Sequence, residues 1–460
     1  MKYISTRGET EPVGFVDAVL EGLAPDGGLL IPEKIPEVHN KLDYWMTLSY
    51  QDITFEVMRL FVDMPELKLK RLIDRSYMAF RHPEIAPAIP VGPIQILELF
   101  WGPTLAFKDI ALQFLGNFFE YALDQRDLQL NILAATSGDT GSAAIQGVRG
   151  CDRINIFVMH PEGRIAPLQE KQMTSVMAPN VFNIAIEGTF DDCQRIMKHI
   201  FGDVEFKKEN SLGAVNSVNW ARVMAQIVYY FSAGLYVMDQ NNSDKVSFSV
   251  PTGNFGDILA GYYAWKMGLP ISKLVLATNE NDILSRFFNT GVYSEGEVAS
   301  TLSPSMDIQV ASNFERYLYY LMNEDGNKLT KLMGEFDEKK EIRIPFEEDQ
   351  PLDDPIVAGV GTSNDTVNMI RKYYKEYDYI LDPHTAVGVS VGEKHLEDDV
   401  PMICLATAHP AKFRLAIKKA IQREVSHEIT DAVMHSPTRC EVLPPDEKAV
   451  QDFLKKNALI

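Results

Sequence analysis

A lysine at position 108 lies in an apolar segment of this 460-residue chain. Leu105, Ala106 and Phe107 come directly before Lys108, and Ile110 follows soon after it. Because burial disfavours the charged form of an amine, a lysine in such a segment is expected to have a lowered pKa and to act as a nucleophile, as Schiff-base lysines do. The structural alternative is a lysine whose stem packs at the start of a core helix while its amine reaches water. The segment alone favours the structural alternative.

A glycine-containing loop at residues 253–257, Gly-Asn-Phe-Gly-Asp, lies between a predicted strand and a predicted helix. Its two glycines allow successive backbone N–H groups to converge on an anion, and the dipole of the following helix adds partial positive charge. The loop therefore indicates a phosphate site, with a tight strand-to-helix turn as the structural alternative. It matches neither the Gly-x-Gly-x-x-Gly pattern of dinucleotide sites nor the Gly-Lys-Ser/Thr ending of nucleoside-triphosphate sites.

Three further segments carry polar side chains at predicted loop positions. Residues 136–141, Thr-Ser-Gly-Asp-Thr-Gly, join a strand to a helix and are predicted to bind a carboxylate, although such residues also serve as helix caps. Asn216 and Ser217 precede an apolar helix that carries Arg222, whose guanidinium suits bidentate phosphate binding; a capped helix start is the alternative. Thr407 follows a predicted strand, where its side chain would point into a site or merely begin a connection.

Predicted strands and helices alternate from residue 94 onwards, which indicates an α/β protein with largely parallel sheets. In such sheets, ligands bind at the loops that follow the carboxyl ends of strands. We predict an N-terminal domain at 1–95, a smaller α/β domain at 96–240 and a larger one at 241–460. The larger domain contains a helical, acidic insertion near 285–350 with a solvated face. Strands are predicted at 94–99, 128–135, 154–159, 181–186, 245–250, 273–278, 377–381 and 402–406.

Composition and charge argue against several classes of protein. Lys and Arg number 44 against 64 Asp and Glu, and a net charge of −20 argues against a general nucleic-acid binder or a binder of anionic membranes. The four cysteines are far apart and no histidine cluster has ligand spacing, so neither a disulfide framework nor a metal site is predicted. The N-terminus lacks the apolar core of a signal peptide, and the apolar-leaning stretch 223–238 is too short and interrupted to span a bilayer. A soluble, cytoplasmic protein is expected.

Five motifs occur along the chain in this order: Phe107–Asp109, Ser137–Ser142, Asn216–Asn219, Gly253–Asp257 and Ala408–Phe413. The set and its order resemble those of threonine synthases, over essentially the whole chain. Residues 3–8 and 24–28 resemble the N-terminal domain of the longer microbial form. The resemblance implies a pyridoxal-phosphate enzyme of the tryptophan-synthase-β type, fold type II. Such an enzyme has two open, twisted, mostly parallel sheets flanked by helices, here with an added N-terminal domain.

The resemblance also implies a role for each site residue. Lys108 is expected to be the Schiff-base lysine, and Thr407 to place a neutral hydroxyl opposite the pyridine nitrogen. Asp139 is expected near the cofactor's 3′-oxygen, where short-form relatives have asparagine, and its role stays open. No metal is implied. The remaining assignments are Gly253, Asn254, Phe255, Gly256 and Asp257 to the cofactor-phosphate cup, Ser137, Gly138 and Thr140 to the substrate carboxylate, and Asn216, Ser217 and Arg222 to the substrate phosphate.

The reaction implied by the resemblance converts O-phospho-L-homoserine and water into L-threonine and phosphate. It proceeds by γ-elimination and β-addition of water, as the last step of threonine biosynthesis, with Lys108 as the general base. The nearest alternative on the same scaffold is a phospho-lyase that releases 2-oxobutyrate, and threonine-synthase-like proteins of animals also resemble this chain. A more distant alternative is a non-catalytic α/β protein that binds a phosphorylated metabolite. The long form favours a monomer over a dimer.

Overall fold

A six-stranded sheet, the large sheet, forms one half of the fold in the computed structural model, which describes residues 1–136, 138–345 and 354–459. Its neighbouring strands are parallel except for an antiparallel hairpin at one edge. The mostly parallel arrangement confirms the α/β class predicted from the alternation of strands and helices. In spatial order the strands are Ile356–Val360, Ile271–Thr278, Val246–Pro251, Met402–Ala406, Ile94–Glu98 and Ala88–Val91.

A second sheet of five parallel strands, the small sheet, forms the other half. Its three central strands consist largely of buried apolar residues because helices cover both of its faces. In spatial order the strands are Glu441–Leu443, Val181–Ile186, Ile154–Pro161, Leu130–Ala135 and Leu212–Gly213.

Helices surround the two sheets and form most of the N-terminal region. The N-terminal helices are Phe15–Glu21, Leu42–Trp45, Tyr50–Met58 and Glu66–Tyr77, beside the antiparallel pair Tyr3–Ser5 and Leu30–Pro32. The part around the small sheet contains Lys108–Arg126, Asp139–Val148, Pro167–Thr174, Phe190–Gly202, Val204–Glu209, Glu428–His435 and Glu447–Asn457. The part around the large sheet contains Gly256–Lys266, Ile283–Thr290, Phe314–Leu321, Gly326–Lys339, Ser363–Tyr377, Pro383–Gly392 and Arg414–Ile421, with the strand pair Val292–Ser294 and Glu341–Arg343.

The helix Trp220–Asn241, called the central helix below, is buried on nearly all sides, as its apolar sequence predicts. It packs against Tyr50–Met58, Lys108–Arg126 and Gly256–Lys266. The ring of its first residue, Trp220, lies 5.9 Å from that of Tyr3. Residues of the N-terminal region therefore share one hydrophobic core with both sheets and do not form a separate core.

The two sheets exchange segments across the predicted domain limits. Ile94–Glu98 belongs to the large sheet, although the chain enters the small sheet next and returns to the large sheet only at Val246–Pro251. Near the C-terminus, Glu441–Leu443 adds a parallel edge strand to the small sheet and Glu447–Asn457 covers one of its faces. The predicted limits at residues 96 and 240 therefore enclose the small sheet only in part, because local sequence does not reveal which sheet an edge strand joins.

The strand predicted at residues 377–381 is wrong. Tyr377 is the last residue of the helix Ser363–Tyr377, and Asp378 ends that helix in a left-handed conformation with φ of 52°. The edge strand of the large sheet is instead Ile356–Val360. Residues 377–381 form a connection that is exposed at Tyr377 and buried at Leu381, and in it Tyr379 donates a hydrogen bond to Glu98 at 2.8 Å.

The stretch 285–350, predicted as an insertion with a solvated face, contains both solvated and buried parts. The helix Gly326–Lys339 is largely exposed, whereas most of the helix Phe314–Leu321 is buried. The acidic end of the stretch at residues 347–349 lies outside the described residues. The inward-facing part reaches the functional site described below, which the sequence did not predict.

Several properties can be stated of the described residues alone. Within them, no helix combines the length and the apolar character needed to cross a bilayer. No group of three or more His, Cys, Asp or Glu side chains there could hold a metal ion. All four cysteines are free thiols.

Candidate active site

The loops that follow three parallel strands meet in a cleft between the large and small sheets. These are the loops after Leu130–Ala135, Val246–Pro251 and Met402–Ala406, and the start of the helix Lys108–Arg126 completes the wall. The cleft is partly enclosed and opens to solvent, as a site that admits a small molecule must. The predicted site residues that line it are Lys108, Asp139, Thr140, Ser217, Arg222, Gly253, Asn254, Phe255, Gly256, Asp257 and Thr407.

Two predicted site residues that the structure describes, Gly138 and Asn216, are not among those that line the cleft. Ser137 lies outside the described residues. Gly138 shapes its loop: its N–H donates to the Thr136 hydroxyl at 3.0 Å, and its φ of 146° favours glycine. Asn216 has a buried side-chain oxygen with no hydrogen-bond partner, away from the cleft wall. The structure therefore does not bring Gly138 or Asn216 to the position predicted for them.

Lys108 is the first residue of its helix and is half-buried, with its side chain at the cleft. Its amine forms no hydrogen bond or ion pair with any described residue. Burial lowers the pKa of this amine to about 8; the negative charge of Asp139 opposes the shift and the positive charge of Arg222 adds to it. A substantial fraction of the amine is therefore neutral near physiological pH and available as a nucleophile or base.

The segment before Lys108 is held against the loop that follows strand Met402–Ala406. The Phe107 N–H donates to the Thr407 carbonyl at 2.8 Å, and the His409 N–H donates to the Leu105 carbonyl at 3.0 Å. These two bonds place Lys108 and Thr407 on the same side of the cleft. The Thr407 hydroxyl makes no hydrogen bond with a described residue, so it is free to contact a ligand.

The loop Gly253–Asp257 forms a cup of backbone N–H groups at the start of the helix Gly256–Lys266. None of its five N–H groups has an acceptor among the described residues. Phe255 adopts a left-handed φ of 64°, and its buried ring packs against Phe288 and Phe314. This packing pins the strained backbone that turns the N–H groups inward, and unsatisfied N–H groups at a helix start suit an anion.

Gly253 is required by its neighbours, since an added Cβ would lie 2.9 Å from the Ser305 carbonyl. We expect Gly253→Ala to displace the cup and to weaken the binding of a phosphate-bearing ligand at least about tenfold, measured by titration of pyridoxal phosphate against its absorbance. Gly334→Ala is the matched control, because a Cβ there meets nothing within 4 Å. Equal affinities for the two variants would contradict the assignment of the cup.

Arg222 lies on the first turn of the central helix, is 5% exposed, and lines the cleft. Its Nε and Nη1 have no hydrogen-bond partner among the described residues. Burial lowers the pKa of the guanidinium to about 10, so it stays charged at neutral pH. A buried, charged and unpartnered arginine is costly unless an anion binds it, so Arg222 indicates a second anion contact in the cleft.

Asp257, at the end of the cup, differs from the other cup residues because it brings a carboxyl group. Tyr229 and Tyr230 donate hydrogen bonds to its Oδ1, at 2.5 and 3.1 Å, while Oδ2 has no partner among the described residues. Burial raises the pKa of this carboxyl to about 6, against the opposing effect of the two phenols. The two phenols therefore fix the orientation of the carboxyl group behind the N–H cup.

Asp139 does not present a free carboxylate to the cleft. Its Oδ1 pairs with the Lys412 amine at 2.7 Å and accepts from the Gln169 amide at 3.0 Å, and its Oδ2 accepts from the Ser305 hydroxyl at 3.3 Å. Burial raises the pKa of Asp139, but the positive charges of Lys412 and Lys108 lower it by more than burial raises it, so the net shift is downward. The carboxylate is thus ionised and neutralised by Lys412.

Two residues of the inward-facing stretch, Ser312 and Asn313, support the site and were missed from the sequence. The Ser217 and Ser312 hydroxyls lie 2.7 Å apart, and the Asn313 side chain donates to the carbonyls of Ser217 and Asn254 at 3.0 and 3.2 Å. They join the 216–219 segment to the cup. No local signal marks them, because they act through contacts with chain about 60 to 95 residues away.

His384 and Ser305 line the cleft and were also missed. The Ser305 N–H donates to His384 Nε2 at 3.2 Å, and His384 Nδ1 lies 2.9 Å from a carboxylate oxygen of the buried Asp382. Asp382 also caps the helix Pro383–Gly392. The sequence Asp-Pro-His at residues 382–384 is a helix-start signal that could have placed His384 at a loop end.

The site can be compared with known proteins. Family profiles match in chain order: "Threonine synthase N terminus" at residues 2–77, "Pyridoxal-phosphate dependent enzyme" at 85–329 and "Threonine synthase, C-terminal" at 385–454. A threonine synthase of Schizosaccharomyces pombe is 46% identical, over 94% of this chain and 92% of that protein. A crystal structure of pyridoxal-phosphate-bound threonine synthase from Brucella melitensis superposes with a TM-score of 0.96 at 42% identity, and each chain is covered fully. "Threonine synthase-like 2" of Xenopus laevis is 37% identical, over 94% of this chain and 93% of that protein.

Proposed function

Because this chain belongs to the threonine synthase family of pyridoxal-phosphate-dependent enzymes, we propose that Lys108 binds the cofactor covalently and that the cleft converts O-phospho-L-homoserine and water into L-threonine and phosphate. Family membership makes the chain a pyridoxal-phosphate-dependent lyase of threonine biosynthesis. The named substrate and the role of each residue are parts of the proposal.

The residues of the cleft fit this cofactor. Its aldehyde requires a neutral amine, and burial favours the neutral form of Lys108. Its phosphate requires donors, and the N–H groups of residues 253–257 have no acceptor among the described residues. The Thr407 hydroxyl would face the pyridine nitrogen and, being neutral, would not hold that nitrogen protonated.

When bound, pyridoxal phosphate supplies an electron sink for negative charge at the substrate's Cα. The proton transfers would fall to Lys108. As a free amine it would remove the protons from Cα and Cβ and deliver one to Cγ. Phosphate leaves from Cγ, and water adds at Cβ. The lowered pKa of Lys108 serves these steps, because only the neutral amine can accept a proton.

The two charged ends of the substrate have matching donors in the cleft. Arg222, with two unpartnered nitrogens, and the Ser217 hydroxyl would bind the substrate phosphate. The N–H groups of Asp139 and Thr140, at the start of the helix Asp139–Val148, have no acceptor among the described residues and would bind the substrate carboxylate. These ends would fix the substrate with its Cα near Lys108.

One observation carries the proposal: an unpartnered lysine amine and an unsatisfied N–H cup line the same cleft. A lysine that only packs would send its amine to water, which was the structural alternative for Lys108. Family membership likewise leaves the non-catalytic binding protein without support. That alternative predicts a colourless protein with no lysine adduct after borohydride treatment.

The remaining alternative is the phospho-lyase. It has to be tested because the chain is also similar to threonine synthase-like 2. The test is product analysis: the protein is supplied with pyridoxal phosphate and O-phospho-L-homoserine, carbon products are identified by NMR, and phosphate is counted. We expect threonine and phosphate in equal amounts, because loss of phosphate and addition of water would take place in the same cleft. Phosphate with 2-oxobutyrate and ammonia would make the protein a phospho-lyase that does not form threonine. No phosphate release would show that the proposed substrate is wrong.

A monomeric state and a cytoplasmic location, both expected from the sequence, stay predictions, as does the absence of a nucleic-acid partner. Family membership supports a small-molecule substrate as the partner. Sedimentation of the holoenzyme would decide between monomer and dimer.

A further inference from the structure

Lys412 is a second lysine at the site, and its amine is fully buried. It does not line the cleft, and its amine is engaged on two sides. It pairs with Asp139 at 2.7 Å and donates to the Thr104 carbonyl at 2.9 Å. The Lys108 amine, by contrast, is at the cleft and has no hydrogen-bond or ion-pair partner among the residues that the structure describes. The contrast explains why one amine is available to a ligand while the other is not.

The two partners of Lys412 belong to different loops. Thr104 lies in the segment that leads into the helix Lys108–Arg126, and Asp139 begins a helix beside the small sheet. Lys412 itself follows the strand Met402–Ala406 of the large sheet. One ammonium group therefore joins three loops that come from both sheets.

Every polar group of Thr104 takes part in a hydrogen bond. Its N–H and hydroxyl donate to Asp109, both at 2.7 Å, and its carbonyl accepts from Lys412 and from the Gln172 amide at 3.2 Å. Because Thr104 stands only four residues before Lys108, the Lys412 contact helps set where the Lys108 helix begins.

The charges near Lys108 come from every element packed around it. Asp139 and Asp109 favour its charged form, while Arg222 and Lys412 disfavour it. Asp139 in turn faces Lys412, Lys108 and His384. Lys412 and Asp139 lie within hydrogen-bond distance and act on Lys108 in opposite directions, so each offsets part of the other's effect when both are present.

We propose that Lys412 is a positioning residue that ties the Lys108 segment to the Asp139 loop, and that the Lys412–Asp139 pair balances the charge felt by the Lys108 amine. This proposal rests on the proposed function, in which Lys108 reacts with the cofactor. Lys412 takes part in no bond making. Its amine is held by Asp139 and Thr104.

In the test, the cofactor is first removed from the protein. Pyridoxal phosphate is then added at a series of pH values from 6 to 10, and the rate at which the visible absorbance of the lysine–cofactor bond returns is measured. Only the neutral amine reacts, so the rate rises with pH, with its midpoint at the pKa of Lys108, about 8 in the unaltered protein. The variants are Lys412→Met, Asp139→Asn and the double variant. Lys418→Met is the matched control, because Lys418 is an exposed lysine paired with Glu424.

The two single variants should shift the midpoint in opposite directions. Lys412→Met leaves Asp139 uncompensated and raises the midpoint by about one pH unit, while Asp139→Asn lowers it by about as much. The double variant should return close to the unaltered midpoint. A merely structural pair would shift both single variants alike or not at all, and either result would overturn the charge-balancing part.

The positioning part is read from the plateau rate at high pH. Lys412→Met and the double variant both lose the bond to Thr104, so their plateau should fall about tenfold, while Asp139→Asn keeps it. Equal plateaus in all variants would overturn this part. If Lys412→Met does not fold, Asp139→Asn and the double variant still decide both parts.

Failure of this proposal is distinguishable from failure of the proposed function. Lys108→Ala must form no visible lysine–cofactor bond; if it does form one, the proposed function fails. If Lys108→Ala behaves as expected and the midpoints of all other variants coincide, only the role of Lys412 fails.

Discussion

Replacing Lys108 by alanine is expected to abolish the visible absorbance of the lysine–cofactor bond and to lower turnover of O-phospho-L-homoserine by about 10³-fold or more. The amine is the nucleophile for the cofactor and the base at Cα, and Lys412, the other buried amine nearby, is held by Asp139 and Thr104. The cofactor can still bind without a covalent bond, through the cup. Absorbance, borohydride trapping and turnover measure the three effects.

The fold should survive this substitution. The Lys108 amine forms no hydrogen bond or ion pair with a described residue, so its loss leaves no partner unsatisfied. Thermal unfolding of the cofactor-free variant should therefore match that of the unaltered protein within a few degrees. Lys418→Ala, at an exposed position, should keep both absorbance and turnover. Unchanged turnover in Lys108→Ala would remove the basis of the proposed mechanism.

Replacing Arg222 by methionine is expected to raise the KM for O-phospho-L-homoserine by about 10–100-fold, because charge-assisted hydrogen bonds to phosphate are lost. The same change should leave the free energy of unfolding of the cofactor-free protein unchanged or about 1 kcal/mol higher, since it removes a buried charge with unpartnered nitrogens. Steady-state kinetics measure the KM, and denaturant unfolding measures the free energy of unfolding, so the two together test whether binding is lost while stability is kept. Titration of pyridoxal phosphate then shows whether the guanidinium serves the substrate phosphate alone.

Arg316 is the matched control for Arg222. Both guanidinium groups are buried with a pKa lowered to about 10 by burial. Arg316, however, donates to Asn313 Oδ1, at 2.6 Å, and to the carbonyls of Leu30 and Val218. Arg316→Met should therefore reduce the free energy of unfolding by about 3 kcal/mol. If both variants lose stability equally, the unpartnered nitrogens of Arg222 do not indicate an anion site.

Local sequence identified most of the elements that carry chemistry. The strand Val181–Ile186 matches its predicted bounds, and the strand predicted at 402–406 is observed as Met402–Ala406. The loops at residues 136–141 and 253–257 do join a strand to a helix. These predictions succeed because apolar periodicity, glycines and capping residues act on near neighbours in the chain.

The errors lie where distant chain decides the structure. A strand is predicted at residues 377–381, but a left-handed helix end at Asp378 and the hydrogen bond from Tyr379 to Glu98 make them an irregular, partly buried connection. The predicted domain limits miss the return of Glu441–Leu443 to the small sheet. Edge pairing and side-chain burial depend on partners hundreds of residues away, which a local pattern does not contain.

By itself, the sequence determined the α/β class, the motif order that resembles threonine synthases, and the residue types available for an amine, an N–H cup and an anion-binding arginine. Only the tertiary structure decided which of them share a cleft. It left Lys108 unpartnered, engaged Lys412 with Asp139 and Thr104, and kept Gly138 and Asn216 away from the cleft wall. It also brought in Ser305 and His384, which the sequence analysis had not assigned to the site. The reason is physical: the charge and reactivity of a buried group depend on desolvation and on neighbours within a few ångströms, and folding alone sets those neighbours.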